Sequence, residues 1–156
     1  MESHSVRLVG LSLMRRSRIC AIQALYQQFF YKNSKSIEDI YQELYDIYRE
    51  DFANKNLSKI ININFVENLV NVVIQNQSEQ NKRIESFLQD GWRIEDISEL
   101  LLIILQLSTT EICYNDTDIG IIINEYIEIT KIFGNVKEAK FVNNILQQVA
   151  NQYRDE

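Results

Sequence analysis

Proline is absent from this 156-residue chain, and glycine occurs only as Gly10, Gly91, Gly120 and Gly134. A sheet protein needs frequent tight turns, and such turns draw heavily on those two residue types. Their scarcity, together with long stretches in which apolar residues recur at three- and four-residue intervals, predicts an all-α fold. Apolar residues make up 46% of the chain and charged residues 24%. That is ordinary globular usage, so disorder throughout is excluded and one domain has enough apolar surface for a core without staples.

The periodicity predicts about seven helices in a single compact bundle. A first helix from about Arg16 to Tyr31 carries Ile19, Ile22, Tyr26, Phe29 and Phe30 on one side. After a break at Asn33–Ser36, Ser36 with Asp39 suits a helix start. The second helix carries Ile37, Ile40, Tyr41, Leu44, Ile47 and Tyr48. Asn64 with Glu67 has the spacing of a capping pair for a third helix bearing Phe65, Leu69, Val72 and Val73. A fourth, over 78–90, presents Ile84, Phe87 and Leu88. Ile97–Tyr114 is apolar almost all round and is expected to be the central buried helix. A sixth runs from the polar break at 115–118 to Phe133, closed by Gly134. The last, over 136–153, turns Ala139, Val142, Leu146, Val149 and Tyr153 inward.

Charge is unevenly spread. Up to Lys35 stand six basic residues (Arg7, Arg15, Arg16, Arg18, Lys32, Lys35) against Glu2 alone, while the rest holds ten basic and twenty-one acidic residues. A basic arm on an acidic body is a local anion site, or else a solvated lead-in. The run MRRSRICAIQALYQ at 14–27 sharpens the choice. Its arginines open a helix, the end at which the helix dipole disfavours cations, so dipole stabilisation does not account for them.

Catalytic and metal-binding patterns are missing. The one histidine is His4, there is no glycine-rich phosphate loop or GxSxG elbow, and no His/Cys/Asp/Glu set has ligand spacing. Asp116/Asp118 fit a helix start, and Glu125/Glu128 a solvated face. No enzyme, metal or cofactor is expected. Cys20 and Cys113 lie on apolar helical segments without CxxC spacing, which suggests reduced thiols in a cytoplasmic protein. The longest apolar run, LLLIIL at 100–105, is too short to span a bilayer. Residues 1–13 lack the order of a signal peptide, and Met14 before RRSR suggests that they are a loose extension.

Two features remain that suit nucleic acid. Guanidinium groups at Arg15, Arg16 and Arg18 match phosphate oxygens. On the last helix, Phe141 falls roughly 110° from the centre of the buried stripe at 100° per residue, with Lys137 and Lys140 exposed beside it. An aromatic ring flanked by lysines suits a single-stranded base and its phosphate. The same ring equally suits a place beneath a neighbouring helix, and spacing does not choose.

These segments resemble the NusB family of transcription antitermination factors. RRSRICAIQALYQ at 15–27 is similar to the family's arginine-rich opening and its QALY helix. INEYIEITKIFGNVKEAKFVNNIL at 123–146 is similar to INEAxELAKxFG followed by KFVNGVL. Leu105, Leu107, Glu111 and Ile112 fit the family's LRxAxYEL helix. The resemblance runs from about residue 14 to the end and is weak through 33–95. It implies an all-α fold of two small helical subdomains sharing a core, so that 14–156 would be one RNA-binding domain. It also implies binding of the boxA element of ribosomal RNA leaders, together with the ribosomal protein NusE, in the antitermination complex on RNA polymerase. Carried over, the motifs give Arg15, Arg16, Arg18, Lys140 and Phe141 as RNA contacts, with Phe133 and Tyr26 as neighbours that serve either RNA or the core. The chain departs from the family at Asn144 (glycine in KFVNG), Gln106 (arginine), Asp118 (proline), Gly120 (often basic) and Lys137 (often acidic). The rival reading keeps the fold but makes the protein an interaction module with no RNA affinity of its own. Monomer and homodimer both remain open.

Overall fold

The computed structural model describes residues 7–32 and 34–154. Seven α-helices form among them: α1 (Leu13–Tyr31), α2 (Ile37–Asp51), α3 (Ile63–Gln75), α4 (Gln77–Glu85), α5 (Glu99–Tyr114), α6 (Ile119–Ile132) and α7 (Glu138–Tyr153). No strand occurs among the described residues. The chain falls into two compact units, one up to Val70 and one from Asn71 onward, with α3 running through the boundary. None of the helices is long and apolar enough to cross a membrane.

The first unit contains α1, α2 and the start of α3. Ser12 caps α1 by accepting from the Arg15 amide at 3.1 Å, so the helix begins about a turn earlier than expected. Of the segment expected to be a loose extension, residues 1–6 lie outside the described residues. Leu8 is only 5% exposed, the Leu11 amide donates to its carbonyl, and Leu13 already belongs to α1. From Ser17 to Ile22 every residue of α1 is buried.

Phe29 and Phe30, expected on the inward face with Ile19 and Ile22, are instead exposed, and small Ala21 and Ala24 with Leu25 take the interior. Helix α2 is capped as expected, Ser36 Oγ accepting from the Asp39 amide. It buries Ile40, Tyr41, Leu44, Tyr45 and Tyr48 while Ile47 stays on the surface. The Tyr48 hydroxyl donates to Gln23 of α1, and the Tyr45 hydroxyl to Glu67 of α3. Glu67 is thus a cross-helix acceptor rather than half of a capping pair. The cap of α3 is Asn62, whose Oδ1 accepts from the Phe65 amide at 3.0 Å, two residues before the expected Asn64.

In the second unit α5 packs with α4, α6 and α7. Every residue of α5 from Ile103 to Ile112 is buried, as its all-round apolar pattern required. Inside it the carboxylate of Glu111, fully buried, accepts from the Tyr126 hydroxyl of α6 at 2.7 Å. Helix α4 stops at Glu85, short of the expected 90, and Phe87 lies in the following turn with its ring edge-on to Tyr153.

Helix α6 ends as the sequence predicts. Gly134 has φ +88°, its amide donates to Lys131 O at 2.8 Å, and the Asn135 amide reaches back to Thr130 O at 3.1 Å. This pair of bonds is the Schellman closure, which needs a left-handed residue at the glycine position. Nothing lies within 4 Å of a Cβ placed on Gly134, so only backbone strain opposes a side chain there. Gly134→Ala should therefore lower stability by about 1 kcal/mol, read as a shifted urea midpoint with an unchanged slope. A loss below a few tenths would show that the closure survives in another conformation.

Candidate nucleic-acid interface

The three arginines expected to act together have separate fates. The side chain of Arg16 turns back into the first unit. Its Nε donates to Ile60 O at 2.7 Å and its Nη2 to Lys59 O at 3.3 Å, while Nη1 donates to Leu11 O. The guanidinium carbon also lies 4.9 Å from the Phe52 ring centroid. The Lys59 and Ile60 carbonyls belong to the segment that feeds α3 and Leu11 lies just before α1, and the planar fork of arginine is suited to collecting several carbonyls at once.

Neighbouring Ser17, fully buried, donates from Oγ to Leu13 O and accepts there from the Asn62 amide, both at 2.8 Å. Arg16 and Ser17 together thus fasten α1 to residues 59–62. Arg18 is 3% exposed, with its guanidinium carbon 5.4 Å from the Phe65 ring centroid. A side chain so enclosed does not present itself to a phosphate. Arg16 and Arg18, both expected as RNA contacts, thus make contacts inside the first unit, Arg16 with three carbonyls and the Phe52 ring and Arg18 with the Phe65 ring. Arg15 is partly exposed, as is Arg16, whereas Arg18 is buried. Tyr26 sits half-buried further along α1.

The second unit carries the remaining candidates on either side of the Gly134 turn. Phe133 is the half-buried C-terminal cap of α6. Lys137 precedes α7 and Lys140 lies in its first turn, both exposed, with Phe141 half-buried beside them. The wheel reading of α7 is thus matched: Val142, Ile145, Leu146 and Val149 are buried, and Phe141 sits at the boundary between interior and water. No side chain caps α7. Its partial positive end and the two ammonium groups act in the same direction, toward an anion.

Three departures from the family pattern have local explanations. Asp118 caps α6, accepting from the Ile121 amide at 3.2 Å, so it starts the helix that a proline would otherwise start. A Cβ at Gly120 would stand 3.1 Å from Asp118 Oδ2, which favours the small residue beside this cap. Gln106, 3% exposed, donates to Asn81 at 2.8 Å and joins α5 to α4 without a charge. Asn144 is exposed on α7.

One arginine that spacing did not single out matters as much as Arg16. Arg154, just after α7, donates from Nε to Ile112 O at 2.9 Å and from Nη1 to Thr117 O at 2.5 Å. Its Nη2 donates to Asn115 O at 2.6 Å and more weakly to Glu111 O at 3.4 Å. It covers the carbonyl end of α5, where a cation is favoured. No local motif signals this, since its acceptors lie about forty residues away in sequence.

Burial disfavours the thiolate form of both cysteines. Burial pushes Cys20 up to about 12, and burial also raises half-buried Cys113, with Arg83 acting in the opposite direction. No group of three or more His, Cys, Asp or Glu that could hold a metal ion occurs among the described residues.

Comparison with known proteins points to one family. The family model described as the NusB family matches residues 15–151. The chain is 37% identical over 140 residues to the transcription antitermination protein NusB of Ligilactobacillus salivarius, covering 89% of this chain and 99% of that protein. It is 35% identical over 137 residues to the same-named protein of Listeria monocytogenes, covering 87% and 94%. Among solved structures it is similar to T. maritima NusB, with a TM-score of 0.72 and 27% identity over 89% of this chain and 91% of that one. An all-α chain matched in this way over nearly its whole length belongs to the NusB family.

Proposed function

We infer that the protein is an RNA-binding transcription antitermination factor. In this reading it takes up boxA-type single-stranded RNA of ribosomal RNA leaders with the ribosomal protein NusE, and the assembly keeps RNA polymerase from terminating early. The observation that carries the RNA part is the start of α7, where exposed Lys137 and Lys140 flank half-buried Phe141. A ring at the water boundary supplies a stacking face, and the ammonium groups neutralise neighbouring phosphates. Arg15 on α1 is a further phosphate contact, and Phe133 and Tyr26 are aromatic neighbours of lesser weight. The antitermination role is supported by the names of the relatives. The acidic remainder of the chain favours a basic protein partner over a second polyanion.

The deciding experiment is binding of a labelled boxA-type RNA across a salt series, with and without NusE. Phe141→Ala should weaken binding about tenfold or more, the loss of one stacked base, with the thermal melt preserved. Replacing Lys137 and Lys140 with alanine should flatten the slope of log K against log salt by about 1.4, given about 0.7 per phosphate for single strands. NusE binding without any RNA affinity would instead make the protein an interaction module. Collapse of the melt in Phe141→Ala would make that ring part of the core.

A further inference from the structure

The far end of α1 carries side chains for which packing has no use. Phe29 is 47% exposed, Phe30 57% and Tyr31 36%, three consecutive rings at the surface. Exposed aromatic area of this kind is unfavourable in water and marks contact surfaces when it is grouped. The rings are ordered among themselves. Phe30 meets Tyr31 edge to face with centroids 5.2 Å apart, and the Lys35 ammonium lies 4.5 Å from the Tyr31 centroid. Lys35 is also paired with Glu43, so one face of Tyr31 is taken and that cation is balanced. Phe29 and Phe30 remain the open rings, with exposed Lys32 next to them. From Ile19 to Ser36 the chain contains no acidic residue.

Three occupants compete for such a surface. A second copy of the chain would set Lys32 and Lys35 against their own images. A basic protein would meet the same like charge. A polyanion with flat rings satisfies both components at once, its bases stacking on phenylalanine and its phosphates meeting lysine. We propose that the C-terminal end of α1 is a second stacking site for single-stranded RNA, in which Phe29 and Phe30 hold bases and Lys32 an adjacent phosphate. The proposal rests on the RNA-binding reading above but uses none of its residues. At 1.5 Å of rise per residue Phe29 lies about 21 Å along α1 from Arg15. The site therefore extends the contacted length of RNA instead of duplicating the arginine contact.

The test is fluorescence anisotropy with a labelled boxA-type RNA that extends beyond the element on both sides, using the Phe29→Ser/Phe30→Ser double variant. Both rings are exposed, so the melt should be unchanged while RNA affinity falls about tenfold or more and NusE affinity stays the same. Lys32→Ala, which removes no packed ring, should flatten the salt slope by about 0.7. Unchanged RNA affinity with weakened NusE binding would assign the rings to a protein partner and overturn the proposal. Unchanged binding of both would overturn it too. Wild-type protein that binds no RNA would defeat the functional reading as a whole, whereas wild-type binding indifferent to these substitutions defeats this site alone.

Discussion

Arg16→Ala is expected to destabilise the protein by about 3 kcal/mol, although its position in an arginine-rich run suggests a ligand contact. The substitution strips charged donors from Ile60, Lys59 and Leu11 carbonyls and uncovers the Phe52 ring. A partly buried acceptor that loses a charged partner costs about 1.5–3 kcal/mol, and the terms do not add fully. In a chain of this size 3 kcal/mol corresponds to a thermal midpoint lower by roughly 6–12 °C. Hydrogen exchange should locate the loss at the amides of residues 59–66. Arg16→Lys separates the two roles. It keeps the charge but not the fork, so it should restore little of the stability. If Arg16 instead met phosphate, lysine would preserve the salt dependence of RNA binding and alanine would leave the melt intact. That outcome would return Arg16 to the interface.

The second large effect is expected at Arg154. Replacement by alanine leaves the carbonyls of Ile112, Asn115 and Thr117 without their donors and removes the cation from the end of α5. A loss of about 2–3 kcal/mol follows. Exchange should rise between about residues 111 and 122 and stay unchanged in the first unit. Protection unaffected by the substitution would mean that solvent replaces the guanidinium at no cost.

What could be read in advance was what depends on a short stretch of chain. The Ser36 cap and the Gly134 closure involve residues within six positions of one another, and both stand where their chemistry places them. Phe141 falls at the boundary of α7 because one helix's own period decides that. The misreadings share another origin. Asn62 and Asn64 both have capping chemistry, and the difference is that the Asn62 amide is engaged by Ser17, 45 residues earlier. Phe29 and Phe30 match the apolar period of α1 but lie beyond the stretch that is buried all round. Arg16 and Arg154 are set by acceptors 37 to 44 residues away, apart from Leu11 O. The family motif assigns RRSR to RNA as a block, although Arg16 and Arg18 also make contacts inside the fold.

The double use of the Ser17 hydroxyl has a consequence for which length changes the chain can accept. Oγ accepts from Asn62 while donating to Leu13, and Arg16 grips the carbonyls just before that asparagine. Inserting or deleting one residue between Ser12 and Arg16 would rotate the helical start by about 100° relative to this pair and carry the Ser12 cap out of place. The stretch 53–56 between α2 and the anchored segment is under no such demand, since it is exposed throughout and joins two fixed points. Length variation among natural sequences should therefore collect after α2 and be purged from the opening turn of α1, even where the amino acids themselves drift.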